Sequence, residues 1–146
     1  MGKSDPTKTI LTEDEFCTIL TAVRTKLRLT TEMQSYINDI YPGINFCYPK
    51  EYVEYDSKVY WFNWCFPKGI PFLKDQLSFL QKAHGVNNLI PFAMNNADGN
   101  AEPYEYACFI IDGIGNNRII TIWPFGNHDS FYQKEHKDIN DWFENI

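Results

Sequence analysis

The spacing of apolar residues along the chain changes period several times, and each change predicts a new element. Phe16, Ile19, Leu20, Val23 and Leu27 recur at three- and four-residue intervals, which places them on one stripe of a helix facing a core. Thr12-Glu13-Asp14-Glu15 just before them reads as a capping box, the Thr hydroxyl and the Glu carboxylate each taking an orphan backbone N–H. Thr31 and Gln34 repeat that signal, Met33, Ile37 and Ile40 line a further helical stretch, and Tyr41-Pro42-Gly43 ends it. The two stretches form either an αα-hairpin or one longer helix bent near Leu29 and Thr30. Lys26 and Arg28 suit the C-terminal end of the first of them, where the helix dipole is negative.

From Ile44 to Phe66 the pattern becomes strand-like and rich in rings. Tyr52-Val53-Glu54-Tyr55 and Val59 to Trp64 read as strands, with Asp56-Ser57-Lys58 as the turn. Trp61 and Trp64 stand an odd number of residues apart, so on one regular strand they face opposite ways and at least one enters the core. After the break at Pro67-Lys68-Gly69, Pro71 suits the first turn of a helix and Gly85 its stop. Phe72, Leu73, Leu77, Leu80 and Ala83 form the apolar face of that helix. His84 sits in its last turn, where a dipole-capping role outranks a catalytic one.

The organising stretch runs from Leu89 to Phe125. Leu89 to Met94 is apolar, an Asn/Asp/Gly loop follows, and two strands, Tyr104 to Ile111 and Arg118 to Trp123, flank the turn Asp112-Gly113-Ile114-Gly115-Asn116-Asn117. Ile119, Thr121 and Trp123 share one face and Ile120 and Ile122 the other, as expected of a hairpin at the centre of a sheet. Pro124-Phe125-Gly126-Asn127 turns the chain. Asp138 caps a short last helix with Ile139, Trp142, Phe143 and Ile146 on its apolar side.

Composition narrows the function classes. At 146 residues, 44% hydrophobic and 22% charged, the chain reads as one folded domain over 12–146 behind a polar, flexible segment 1–11. Its apolar runs of about five residues fall far short of the roughly 20 that span a bilayer. No apolar leader follows Gly2-Lys3-Ser4-Asp5-Pro6, so the expected location is cytoplasmic. Cys17, Cys47, Cys65 and Cys108 show no Cys-x-x-Cys pairing, and most are expected to be reduced and buried, Cys17 and Cys108 within apolar segments. A net charge of -6 argues against nucleic acid and permits a basic protein partner. Between Lys82 and Arg118 there is no Lys or Arg, while Asp98, Glu102, Glu105 and Asp112 all fall there. That run is either a solvated acidic loop or a face that steers a cationic partner.

Chemical motifs fail on inspection. Met94 to Glu105 imitates a calcium loop with Asn96, Asp98 and Gly99, but Met94 occupies the first ligand position and a strand follows. His128-Asp129 and Cys65 lack an oxyanion site and an orienting base, and His128 and His136 stand in polar contexts that predict exposure. Gly113-Ile114-Gly115 lacks the third glycine and the helix of a dinucleotide site. The residues therefore favour a binding module without cofactor or metal.

One resemblance adds to this. Gly85-Val86-Asn87-Asn88-Leu89-Ile90-Pro91-Phe92-Ala93, then Asp98-Gly99-Asn100, Cys108-Phe109-Ile110-Ile111-Asp112, Ile120-Thr121-Ile122-Trp123 and the closing Ile139 to Ile146 are similar to the SUKH superfamily. The resemblance implies an α+β domain, with helices packed against an antiparallel-dominated β-sheet. It also implies an immunity protein that binds and neutralises a cognate toxin; fungal relatives act in cell-wall regulation. Expected contacts are Asn95, Asn96, Asp98, Glu102 and Tyr104, with Trp61 as an addition, meeting a toxin with a basic surface. The chain itself is expected to be a monomer or a weak homodimer, away from membranes. A small-ligand or peptide-binding domain using the rings from Tyr52 to Trp64 is the alternative, and an enzyme using His128 or His84 is the third reading.

Overall fold

The computed structural model describes residues 12–44, 46–53, 59–60, 64–95, 105–111, 117–125 and 131–146, without the side chains of Ile19, Ala22, Val59 and Tyr60. The first element is a single helix, α1 (Glu13–Ile40). Its capping box forms as expected: Thr12 Oγ1 accepts from Glu15 N at 3.1 Å and Glu15 Oε1 accepts from Thr12 N at 3.0 Å. Hydrogen bonds from the Thr12 backbone and side chain hold the Glu15 carboxyl below its ordinary range. Thr31 does not open a second helix. Its hydroxyl and that of Thr30 donate back to the carbonyls of Leu27 and Lys26 at 2.9 Å, so α1 continues and Lys26 and Arg28 lie at mid-helix. Tyr41 ends the helix and Gly43 follows with φ of 89°, a left-handed conformation that glycine adopts without strain.

Among the described side chains of α1, those that enter the hydrophobic core, Met33 and Ile37, lie in its C-terminal half. Its polar side chains bind the next segment. Asn38 exchanges two hydrogen bonds with the Phe46 backbone, and Gln34 Oε1 accepts from Tyr48 N at 3.0 Å. The expected strand at Tyr52 is instead a helical turn, α2 (Lys50–Val53), and Tyr52 is drawn into the core, stacked 4.7 Å from Tyr48. The expected single strand Val59 to Trp64 is a hairpin, β1 (Val59–Tyr60) paired antiparallel with β2 (Trp64–Cys65). Trp61, Asp56, Ser57 and Lys58 lie outside the described residues. Helix α3 (Ile70–His84) has Pro71 in its first turn and ends at Gly85, φ 67°, whose N–H returns to Gln81 O.

Strands β3 (Leu89–Asn95), β4 (Glu105–Ile110), β5 (Ile119–Ile122) and β6 (Tyr132–His136) complete a six-stranded sheet. Strand order follows chain order, β1-β2-β3-β4-β5-β6, with every neighbour antiparallel. The β4–β5 hairpin lies inside the sheet, and Ile119 and Ile122 turn to opposite faces as the alternation predicts. The strand β6 is unforeseen by periodicity. Its first four residues are exposed, the polar character that suits a sheet edge. Asp138 caps the last helix, α4 (Ile139–Glu144), accepting from Asp141 N at 2.8 Å.

Both faces of the sheet are buried. On one, Phe46, Tyr48, Tyr52, Phe92, Phe109, Ile119 and Trp142 pack with Met33, Ile37 and Leu73. On the other, Leu89, Tyr106, Cys108 and Ile122 meet Leu80 and Phe131. The rings contact edge to face or offset, Phe92 lying 4.3 Å from Phe109 and 5.3 Å from Trp142, arrangements that add to the burial of area. Two expectations fail here. Cys17 is exposed, as is Cys47, because the N-terminal half of α1 extends beyond the core; Phe16, Val23 and Leu27 are likewise 56%, 52% and 54% exposed.

This difference between the halves of α1 is measurable. Ile37→Ala, at a fully buried side chain of the C-terminal half, is expected to cost about 2–5 kcal/mol in urea unfolding. Phe16→Ala at the exposed end is expected to fall within about 0.5 kcal/mol of the parent in the monomer. Equal losses at the two sites would refute the division of α1 into a packed and an unpacked half.

Candidate functional site

At the end of β3 the register sets Asn95 opposite both Trp64 and Glu105. Two residues further along β4, Ala107 faces Thr121, which in turn faces Lys134, and His136 faces Ile119. Directly paired residues share a face and alternate residues return to it, so Trp64, Asn95, Glu105, Thr121, Lys134 and His136 all turn to the side of the sheet that carries the ring cluster. Two irregularities make this possible. The pairing shifts between Pro91 and Ala93, so that Phe92 and Ala93 join the same cluster and Asn95 is carried to that face. A second shift at Thr121/Ile122 leaves Gln133 as the extra residue of β6.

Where α4 ends, Asn145 and Ile146 border this row, and the space between is a cleft of about 350 Å³. Its lining is mixed. Glu105, Asn95 and Thr121 supply acceptors, Lys134, Gln133 and Asn145 supply donors, and Trp64 and Ile146 supply apolar wall. Burial raises the Glu105 carboxyl above its ordinary range, partly opposed by a hydrogen bond from Thr121. His136 is buried, 4% exposed, contrary to its polar sequence context. Burial holds its imidazole below the ordinary histidine range against the pull of Asp141, and Lys134 lowers it further. Its Nδ1 stands 3.7 Å from Asp141 Oδ2 and makes no hydrogen bond; that carboxylate oxygen accepts from Lys137 N instead.

The same end of the sheet carries exposed rings. Ile122 pairs with Tyr106 on one side and Tyr132 on the other, and just beyond it Trp123, Phe125 and Tyr132 are 38%, 50% and 56% exposed. Phe125 stacks on Phe79 at 5.2 Å, and Tyr132 meets Phe131 edge-on at 4.7 Å. His84 fixes this corner. Its Nε2 lies 2.6 Å from Pro124 O and its ring 4.6 Å from Phe131, so it ties α3 to the turn after β5.

Of the contacts expected from sequence, Asn95 is described, and it lines the cleft with 7% exposure. Asn96, Asp98, Glu102, Tyr104 and Trp61 lie outside the described residues, as does His128. Sequence reasoning missed Thr121, Lys134 and His136 because they depend on an edge strand without alternation. It noted Glu105 only as part of an acidic run. Tyr52 and Trp64, which the alternative reading uses to wall a ligand pocket, are core residues, and of the two Trp64 reaches the cleft. Cys65 is half-buried with its thiol raised by burial, the wrong direction for a nucleophile. Among the described residues no group of three or more His, Cys, Asp or Glu could hold a metal ion, and no helix is long and apolar enough to cross a membrane. No family model matches the chain, and neither a curated protein nor a solved structure does.

The two titrating groups of the cleft act on stability with opposite signs. A depressed histidine binds its proton less readily folded than unfolded, so His136 makes stability fall as pH drops below the unfolded value of about 6.5. Glu105, raised, binds a proton more readily when folded, and its ionisation lowers stability as pH rises through its folded value. Thermal melts of the parent and of His136→Gln are expected to show a shallower loss in the variant between about pH 7 and 5.5. Parallel curves would remove His136 as the source.

Proposed function

We propose that the protein is a non-enzymatic immunity protein of the SUKH type that binds and neutralises a cognate toxin domain. One observation carries the reading: Trp123, Phe125 and Tyr132 stand exposed at the same end of the sheet as a cleft holding the half-buried Glu105. Large rings that keep area in contact with water are the common anchors of protein interfaces. A carboxylate disfavoured by burial gains most from a cation brought to it, so a Lys or Arg side chain of the toxin is the chemical group that suits Glu105. The net charge of -6 and the run without Lys or Arg between Lys82 and Arg118 favour encounter with a basic partner.

The resemblance at Leu89 to Ala93 and around Trp123, and an α+β fold with a fully antiparallel sheet, support the same reading. A second reading rests on the cleft itself. About 350 Å³ bordered by Trp64 is at the small end of ligand sites, and a small polar ligand or peptide end bound there would shift tryptophan fluorescence without any protein partner.

The test is co-expression with the protein encoded immediately upstream and purification through a tag on this chain. A stoichiometric complex with loss of that protein's toxicity is expected. Glu105→Gln is expected to weaken the complex at least about tenfold while leaving the melting temperature equal or higher, since it removes a buried charge. Tyr132→Ala is expected to weaken it by a similar factor. Separate elution with no rescue of growth would overturn the proposal.

A further inference from the structure

The N-terminal half of α1 carries an apolar stripe that the fold leaves exposed. Phe16, Leu20, Val23 and Leu27 are spaced four, three and four residues apart, so they follow one seam along about three turns of helix. Phe16, Val23 and Leu27 are each more than half exposed. The same face continues C-terminally through Thr30 and Ile37, which are buried against the body, so the core-facing side of α1 extends past the core it serves.

Charge identifies the occupant. Glu13, Asp14 and Glu15 fill the first turn, and Arg24, Lys26 and Arg28 follow about three to four turns later. The helix is therefore acidic at one end of the stripe and basic at the other. A second copy laid antiparallel, with Phe16 opposite Leu27 and Leu20 opposite Val23, brings each acidic end beside the basic end of the other helix. On the helical wheel Glu13 and Arg28 flank the seam on one side, and Glu15 and Lys26 on the other. Both flanks thus become complementary. Parallel pairing would place like charges together and align the two dipoles unfavourably.

We infer that the protein self-associates through an isologous, antiparallel pairing of Phe16, Leu20, Val23 and Leu27 with the same residues of a second copy. Two-fold symmetry closes this contact, because the same patch meets itself. About three turns of paired helix bury on the order of 1,000 Å² or less, below the roughly 1,200 Å² of standard stable interfaces. The dimer is consequently weak and concentration-dependent. It shares no residue with the cleft at Glu105 or the rings at Trp123, Phe125 and Tyr132, and it does not depend on the toxin-binding reading.

Sedimentation equilibrium of the full chain from micromolar to millimolar concentration tests it. A reversible monomer–dimer equilibrium is expected, with dissociation at least about tenfold easier in Val23→Glu, a substitution at an exposed position. Far-ultraviolet circular dichroism would check that this variant keeps its helix. The orientation is read from a charge-reversal cycle. Glu13→Lys and Arg28→Glu should each weaken the dimer, and the double variant should restore it. A monomer throughout the range, a dimer indifferent to Val23→Glu, or charge variants that strengthen singly would each overturn the inference.

Discussion

Everything in this fold follows from one constraint: β3 and β4 are apolar on both faces and must be covered on both. Leu89, Tyr106 and Cys108 look one way and Ile90, Phe92 and Phe109 the other, and all are nearly inaccessible to solvent. A single helical layer cannot satisfy such a ladder. One face receives α1, α2, α4 and the first turns of α3 with a cluster of rings, and the end of α3 together with Phe131 closes the other. The remaining strands extend the ladder outward until it ends in the polar β6, whose ion pair Arg118–Glu135 is partly exposed and contributes modestly to stability.

The same ladder determines where the candidate chemistry lies. Proline cannot donate to a sheet and is tolerated at bulges, and the pairing of β3 shifts at Pro91/Ala93. That extra residue reverses the alternation of everything after it. Without it Met94 would face the ring cluster and Asn95 the opposite side; with it Met94 packs in the second cluster and Asn95 lines the cleft. A comparable shift at Thr121/Ile122 directs Lys134 and His136 to the cleft and Tyr132 to the other face by register. A polar cleft on one face and exposed rings at the same end thus arise from two single-residue irregularities.

Features fixed by local backbone chemistry were readable from sequence. The capping box at Thr12, the cap at Asp138, the stop at Gly85 and the alternation from Ile119 to Ile122 depend on residues within one turn or one strand of each other. Features set by what meets what were not. Thr31 carries a good start signal, yet its hydroxyl is equally satisfied by the Leu27 carbonyl, and the contacts of Met33 and Ile37 decide for continuity. Tyr52 has strand propensity but is worth more stacked on Tyr48 within the core. His136 stands in a polar stretch and is buried all the same, because α4 folds back with Trp142 over the sheet. For the cleft, Asn95 and Trp64 were singled out from sequence and Thr121, Lys134 and His136 were not, since a bulge does not show in periodicity.

The two halves of α1 show how far local terms reach without packing. From Met33 onward the helix is held by the core and by Gln34 and Asn38, which bind the backbone of residues 46–48. Toward Thr12 the described residues offer it a capping box worth about 1 kcal/mol, acidic side chains at the positive end of the dipole and hydroxyl groups bonded back to carbonyls. Isolated helices of this length are marginal in water on such terms. A stripe of Phe16, Val23 and Leu27 adds little to the stability of a half-helix in solvent, yet supplies its largest gain once covered. Order in that half and occupancy of its stripe are therefore coupled: whatever covers the seam also stabilises the helix that presents it, and the opposed charges of Glu13 and Arg28 restrict that cover to one orientation.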